Sequence, residues 1–246
     1  MLIKDHLARS GAVCFRWRSY LPMAFLPLMA IALRRGEAVE LSLGDGLGEL
    51  YEWLAILTVV LGQAIRILTV GYVSNGTSGR NTREQIAEEL NTRGLYSVVR
   101  NPLYLGNCLM YLGLAAYTQA PLLILIMGLV LALYYERIIS AEETFLSAKF
   151  GASYDEWASV TPAFLPRLSG WRAPDRRFSW AMVLRREHPS IYGALVTLFL
   201  IDVGFWFYGN EPEDFKKGWL VVMTVATLAV VAVKLVKRHT SLLAPR

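Results

Sequence analysis

Histidine, cysteine and charge are all scarce in this chain. Its three histidines, His6, His188 and His239, and its two cysteines, Cys14 and Cys108, lie far apart. No zinc or redox spacing can be built from them, so no His/Cys metal site is expected. Charged residues make up only 18% of the 246 positions, against roughly 25% in a soluble domain. A Lys/Arg-rich run with interleaved aromatics is also missing, which argues against nucleic acid as a partner despite a net charge of +5. The N-terminus lacks the pattern of a cleaved signal: the apolar stretch begins only near Tyr20, and no Ala-x-Ala site follows. The segment is therefore expected to be retained.

What the chain has instead is apolar sequence, 54% of it, gathered into runs of helical length with the charge between them. This predicts an all-α, polytopic membrane bundle of about six spans, at 20–33, 50–70, 103–117, 121–139, 190–208 and 219–236. Three units are expected: an N-terminal segment and first helix (1–49), a core (50–168), and an interfacial segment with two further helices (169–246). Eighteen Lys and Arg residues fall on the side of both termini and four on the other, so both termini are expected in the cytoplasm. The membrane expected is a bacterial inner one. Between the spans, 75–82 reads as a polar loop whose Asn-Gly-Thr sequon has no role on that side. A short helix is expected over 83–90, capped by Thr82 with Gln85 and closed by Gly94 in a left-handed conformation. Trp157, Trp171 and Trp180 suit a segment lying along the interface.

The chemistry concentrates in residues 94–106, a basic, Pro-containing turn driven into an apolar helix. Pro102 suits a first helical turn and Asn101 before it suits a cap. Arg100 adds charge, Tyr96 and Tyr104 add aromatic surface, and Gly106 permits close approach of a ligand or a second helix. The three-residue link at 118–120 forces the next two spans into an antiparallel hairpin. That hairpin returns Glu142 and Glu143 to the membrane face that carries Arg100 and Asn101. Within the second span, Gln63 and Arg66 share a face. Arg66 either snorkels to the surface or reaches an acidic ligand group. Asp202, inside the fifth span, requires a partner or a polar cavity, and is the one strong pointer to a transporter.

The pattern Gly94-x-Tyr96-x-x-Val99-Arg100-Asn101-Pro102-x-Tyr104-x-Gly106, then Glu142-Glu143-x-x-Leu146, Phe150-Gly151-x-x-Tyr154-x-x-Trp157 and the run from Pro162 to Pro166, resembles the isoprenylcysteine carboxyl methyltransferase and phospholipid methyltransferase superfamily. Leu61-Gly62 with Arg66 fits the preceding helix of that family. The resemblance covers about residues 50–166. It implies an intramembrane methyltransferase that takes S-adenosyl-L-methionine as cofactor at the cytoplasmic end of the third and fourth spans. The cofactor-binding residues it implies are Tyr96, Val99, Arg100, Asn101, Pro102, Tyr104, Gly106, Glu142 and Glu143. Arg100 and Arg66 are the candidate catalytic residues. One position departs from the family: Asn101 stands where a histidine is usual, and asparagine is not a titrating base near neutral pH.

Methyl transfer to an oxygen that is already anionic needs alignment and no base, whereas an amine must first be deprotonated. Arginines near the expected site outnumber plausible bases, so the acceptor expected is an anionic group on a lipid or lipidated molecule, with a lipid phosphate such as the 1-phosphate of lipid A first. A prenylcysteine carboxylate comes second, and N-methylation of phosphatidylethanolamine third. From other classes, an NADPH-dependent membrane reductase and a non-catalytic scaffold or transporter stay open.

Overall fold

The computed structural model describes residues 3–18, 20–34, 42, 44–73, 87–208, 218–240 and 242–243. The fold is all-helical, with no strand among the described residues. The helices are α1 (Ile3–Trp17), α2 (Leu21–Leu33), α3 (Asp45–Tyr72), α4 (Pro102–Tyr117), α5 (Pro121–Phe150), α6 (Ala152–Val160), α7 (Trp180–Tyr208) and α8 (Gly218–His239), with short 3-10 turns at Leu95–Ser97 and Leu168–Gly170.

Four helices are long and apolar enough to cross a membrane: α3 from Gly46 onward, α5, α7 and α8. Two of the six expected spans are shorter than the roughly 20 residues a perpendicular crossing takes: α2 has 13 residues and α4 has 16. The other spans run past the limits set by hydropathy. Helix α5 continues to Phe150, and α7 starts at Trp180, ten residues before the expected Ser190, with Pro189 inside it. A further helix, α1, occupies a stretch that reads as merely polar and basic. It lies so close on α5 that a Cβ at Gly11 would stand 1.9 Å from the Arg137 carbonyl oxygen.

The core pair is α3 and α4. A Cβ at Gly62 would meet the Gly106 carbonyl oxygen at 2.5 Å, and one at Gly113 would meet the Ala55 carbonyl oxygen at 2.8 Å. Small residues thus let the two backbones touch, as in close membrane helix packing. Helices α4 and α5 form the expected tight hairpin: Thr118 and Gln119 donate back to the carbonyls of Ala115 and Ala116, and Gln119 has φ of 54°. Helix α7 packs against α3, and α8 packs along α7 with Leu220, Val221, Val225 and Leu228 turned outward.

The loop 75–82, its sequon and the first half of the expected 83–90 helix lie outside the described residues. Residues 87–90 are a bend and not helix, so Gly94, with φ of 60°, introduces the Leu95–Ser97 turn and does not close a helix.

Candidate active site

The Leu95–Ser97 turn satisfies only part of the 94–101 backbone, and the segment after α6 meets several of the remaining groups. Gly94 N donates to the Arg172 carbonyl at 2.9 Å, Arg100 N to Pro162 O at 2.9 Å, and Arg167 N to Val98 O at 2.9 Å. Ser97 Oγ accepts from Arg172 N at 2.9 Å, and the Trp157 indole donates to the Tyr96 carbonyl at 3.2 Å. The strap is anchored at its far end where Phe178 lies over Gly71 and Tyr72.

This strap corrects the reading of Asn101. It holds the N-cap position of α4, but its side chain makes no cap hydrogen bond. Its amide donates instead to the Ala163 carbonyl at 2.9 Å.

Arg100 and the two glutamates come together as the hairpin requires. The Arg100 guanidinium pairs with Glu143 Oε1 at 2.8 Å and also donates to the Ala158 carbonyl at 2.7 Å. Its buried Nε has no hydrogen-bond partner among the described residues. The Tyr104 hydroxyl donates to Glu142 Oε1 at 2.6 Å, and its ring lies 4.8 Å from that of Tyr135. Burial pushes the Tyr96 phenol well above the usual tyrosine range; the charge of Glu142 adds to this and that of Arg186 opposes it. Burial likewise raises the Tyr154 phenol to about 12, with the Glu143 charge adding. Glu136, which shares a helix face with Glu143 in sequence, is exposed.

Three of the expected site residues also take part in packing. Val99 is 1% exposed and Pro102 is fully buried, so their side chains belong to the core. At Gly106 an added Cβ would lie 2.7 Å from Cγ of Arg66, so this glycine makes room for the Arg66 stem and the α3 backbone. Arg66 itself neither snorkels nor waits for an acidic ligand. Its Nε and Nη2 meet the two oxygens of Glu187 at 2.8 Å each, a forked carboxylate pair, and its Nη1 donates to Asn107 Oδ1. Gln63 Nε2 adds a bond to Glu187 Oε2 at 3.1 Å.

Sequence reasoning missed Glu187 and Arg186 on α7, and Arg18 just after α1, whose charge bears on Glu142 and Tyr104. Glu187 carried no signal in the sequence, because its partner Arg66 lies 121 positions away. Asp202 also proves to be partnered, by the Tyr117 hydroxyl at 2.7 Å and by the Trp219 indole. Among the described residues no three His, Cys, Asp or Glu side chains come together as a metal set.

Residues 50–153 match the phospholipid methyltransferase family. The chain is 37% identical over 123 residues to the cobalt-zinc-cadmium resistance protein CzcN of Cupriavidus metallidurans, an alignment covering 49% of this chain and 54% of the relative. It is 36% identical over 124 residues to the nickel-cobalt-cadmium resistance protein NccN of Alcaligenes xylosoxydans xylosoxydans, covering 49% and 55%. It is 30% identical over 120 residues to a probable protein-S-isoprenylcysteine O-methyltransferase of Oryza sativa subsp. indica, covering 46% and 60%. The chain thus spans little more than half the length of these relatives. No solved structure matches it. The stretch that is similar to the phospholipid methyltransferase family, residues 50–153, takes in most of α3, the 94–101 turn, α4, α5 and the start of α6.

Proposed function

We propose that the chain is a membrane-embedded, S-adenosylmethionine-dependent methyltransferase. Its acceptor on this reading is a lipid or lipidated molecule, methylated on an anionic oxygen, with a lipid phosphate of the lipid A 1-phosphate type first. The observation that carries the reading is the meeting of Arg100–Glu143 and Tyr104–Glu142 beside the Pro102 turn. The donor set fits the proposed cofactor: two carboxylates suit hydroxyl and ammonium groups, and the unused buried Arg100 Nε–H suits a carboxylate.

Tyr96, Arg100, Asn101, Tyr104, Glu142 and Glu143 would hold the cofactor, with Val99, Pro102 and Gly106 shaping the turn beneath them. Bound there, S-adenosylmethionine supplies an electrophilic methyl group. The chain's own contribution is alignment and exclusion of water, because an anionic acceptor oxygen needs no proton removed. Asn101, whose amide is held by Ala163, keeps the strap against the turn and moves no proton. Arg100 is the candidate catalytic cation closest to the carboxylates. Arg66, paired with Glu187, would act through its position rather than as a free charge. The charge bias between loops supports a site facing the cytoplasm of a bacterial inner membrane. A prenylcysteine carboxylate is the second reading, favoured by the similarity to the rice relative, a probable protein-S-isoprenylcysteine O-methyltransferase.

The test is incubation of membranes carrying the protein with radiolabelled S-adenosylmethionine, followed by separation of labelled lipids by base and acid lability. A base-resistant, phosphate-linked label is expected. A base-labile ester points to the carboxylate, and an alkali-stable amine to phosphatidylethanolamine. Purified protein stabilised by NADPH and not by S-adenosylhomocysteine overturns the methyltransferase reading in favour of a reductase. Glu142→Ala and Glu143→Ala that leave S-adenosylhomocysteine binding unchanged would favour a non-catalytic role.

A further inference from the structure

Burying an ion pair is a poor way to stabilise a fold. The desolvation of two charges offsets much of their attraction, and an apolar pair of like volume commonly serves as well or better. In a membrane bundle the objection is stronger, since intramembrane charges are expensive. Yet α3, α4 and α7 spend five polar side chains on a single knot. Arg66 is forked onto Glu187, Glu187 also accepts from Gln63, and Gln63 accepts from Ser190 at 3.1 Å. On the other side Arg66 reaches Asn107.

The knot has a direction. Asn107 lies beside Tyr135, near enough to act on its hydroxyl. The Tyr135 ring stacks at 4.8 Å on Tyr104, and the Tyr104 hydroxyl donates to Glu142 at 2.6 Å. A continuous line of contacts therefore runs from Ser190 and Glu187 on α7, through Arg66 and Asn107, to the carboxylate proposed to face the cofactor. Its centre is set by Gly106, whose missing Cβ leaves the groove in which the Arg66 stem lies. Glu187 is 2% exposed and lies outside the matched residues 50–153.

We propose that Glu187 is a positioning residue of the methyl-transfer site: it fixes the Arg66 guanidinium, and through Asn107 and Tyr135 the Tyr104–Glu142 pair, so that the family domain is complete only with α7. The inference rests on the reading of Glu142 as a cofactor-binding residue. It makes α7 part of the catalytic unit and not merely an added anchor.

The experiment uses the full chain, purified in detergent, with S-adenosylhomocysteine affinity and melting temperature read together. Glu187→Gln keeps the shape but removes the charge; it should weaken S-adenosylhomocysteine binding about tenfold. Tyr117→Phe is the control, because it loosens the other polar tie of α7, at Asp202, and should lower the melting temperature with the affinity unchanged. A double-mutant cycle of Glu187→Gln with Tyr135→Phe should be clearly non-additive in affinity, a coupling that independent sites do not show. Should Glu187→Gln fail to fold, Ser190→Ala, at the outer end of the line, should still weaken binding about twofold and couple to Tyr135→Phe. Additive variants, or a Glu187→Gln protein that melts earlier but binds normally, overturn the inference alone. Wild-type protein that does not bind S-adenosylhomocysteine overturns the cofactor reading, and this inference with it.

Discussion

Helix α7 is tied to the rest of the bundle by two carboxylates, and the two ties are built differently. Among the described residues Asp202 accepts from neutral donors, the Tyr117 hydroxyl and the Trp219 indole. Glu187, fifteen positions earlier and so about 22 Å away along the helix, accepts from a guanidinium and an amide. The Asp202 tie closes on itself. Its neighbours are the buried α4–α5 turn and the Gln119–Glu52 contact at 3.1 Å, where no other candidate site residue lies. The Glu187 tie opens onto Asn107, Tyr135 and the carboxylates of the candidate site. A carboxylate held by neutral donors serves as a clasp. One held by a buried cation sets an orientation, because a bidentate guanidinium–carboxylate pair keeps both groups in one plane.

The comparison can be broken most forcefully at Arg66. Arg66→Met leaves Glu187 buried without its cation and should cost about 3–5 kcal/mol of stability, measured by thermal unfolding in detergent, with methyl transfer lost as well. Replacing both partners, Arg66→Met with Glu187→Met, should return most of that stability and leave transfer lost. Recovery of transfer in the double variant would show that the knot only holds helices together. Gly106→Ala comes next. Its methyl group would press on the Arg66 stem and the Gly62 carbonyl, an overpacking that costs about 1–3 kcal/mol. It should lower S-adenosylhomocysteine affinity through the displaced guanidinium, which calorimetric titration would detect. Tyr117→Phe has the smallest effect, about 1 kcal/mol for one lost hydrogen bond. Because it touches only the Asp202 clasp, transfer measured on the folded fraction should be unchanged.

The same contrast explains what was readable in the chain. The α4–α5 hairpin and the meeting of Arg100 with Glu143 follow from a three-residue turn, a local constraint that sequence displays openly. Asp202 stood out because it interrupts an apolar run, but its donors could not be named without the packing of α4, α7 and α8. The Arg66–Glu187 pair joins residues 121 positions apart, and Glu187 lies in a stretch, 180–189, that reads as interfacial loop. Hydropathy marks where a helix enters the apolar layer, not where its hydrogen bonds stop, so the polar ends of α5 and α7 were invisible to it. The cap role read for Asn101 failed for a related reason: its side-chain partner, the Ala163 carbonyl, belongs to a strap whose course depends on the fold. Helix α1 escaped notice because its pattern is amphipathic and mixed with charge.

The seam between α3 and α4 has a consequence for traffic. Where Gly62, Gly106 and Gly113 bring the two backbones together, even one added methyl group would collide with a carbonyl oxygen. A hydrocarbon tail is wider than a methyl group, so none can slide between these two helices. Any substrate with an acyl or prenyl chain must keep that chain on the flanks of the pair, and the zipped glycines act as a closed door that decides from which sides the bilayer can deliver it.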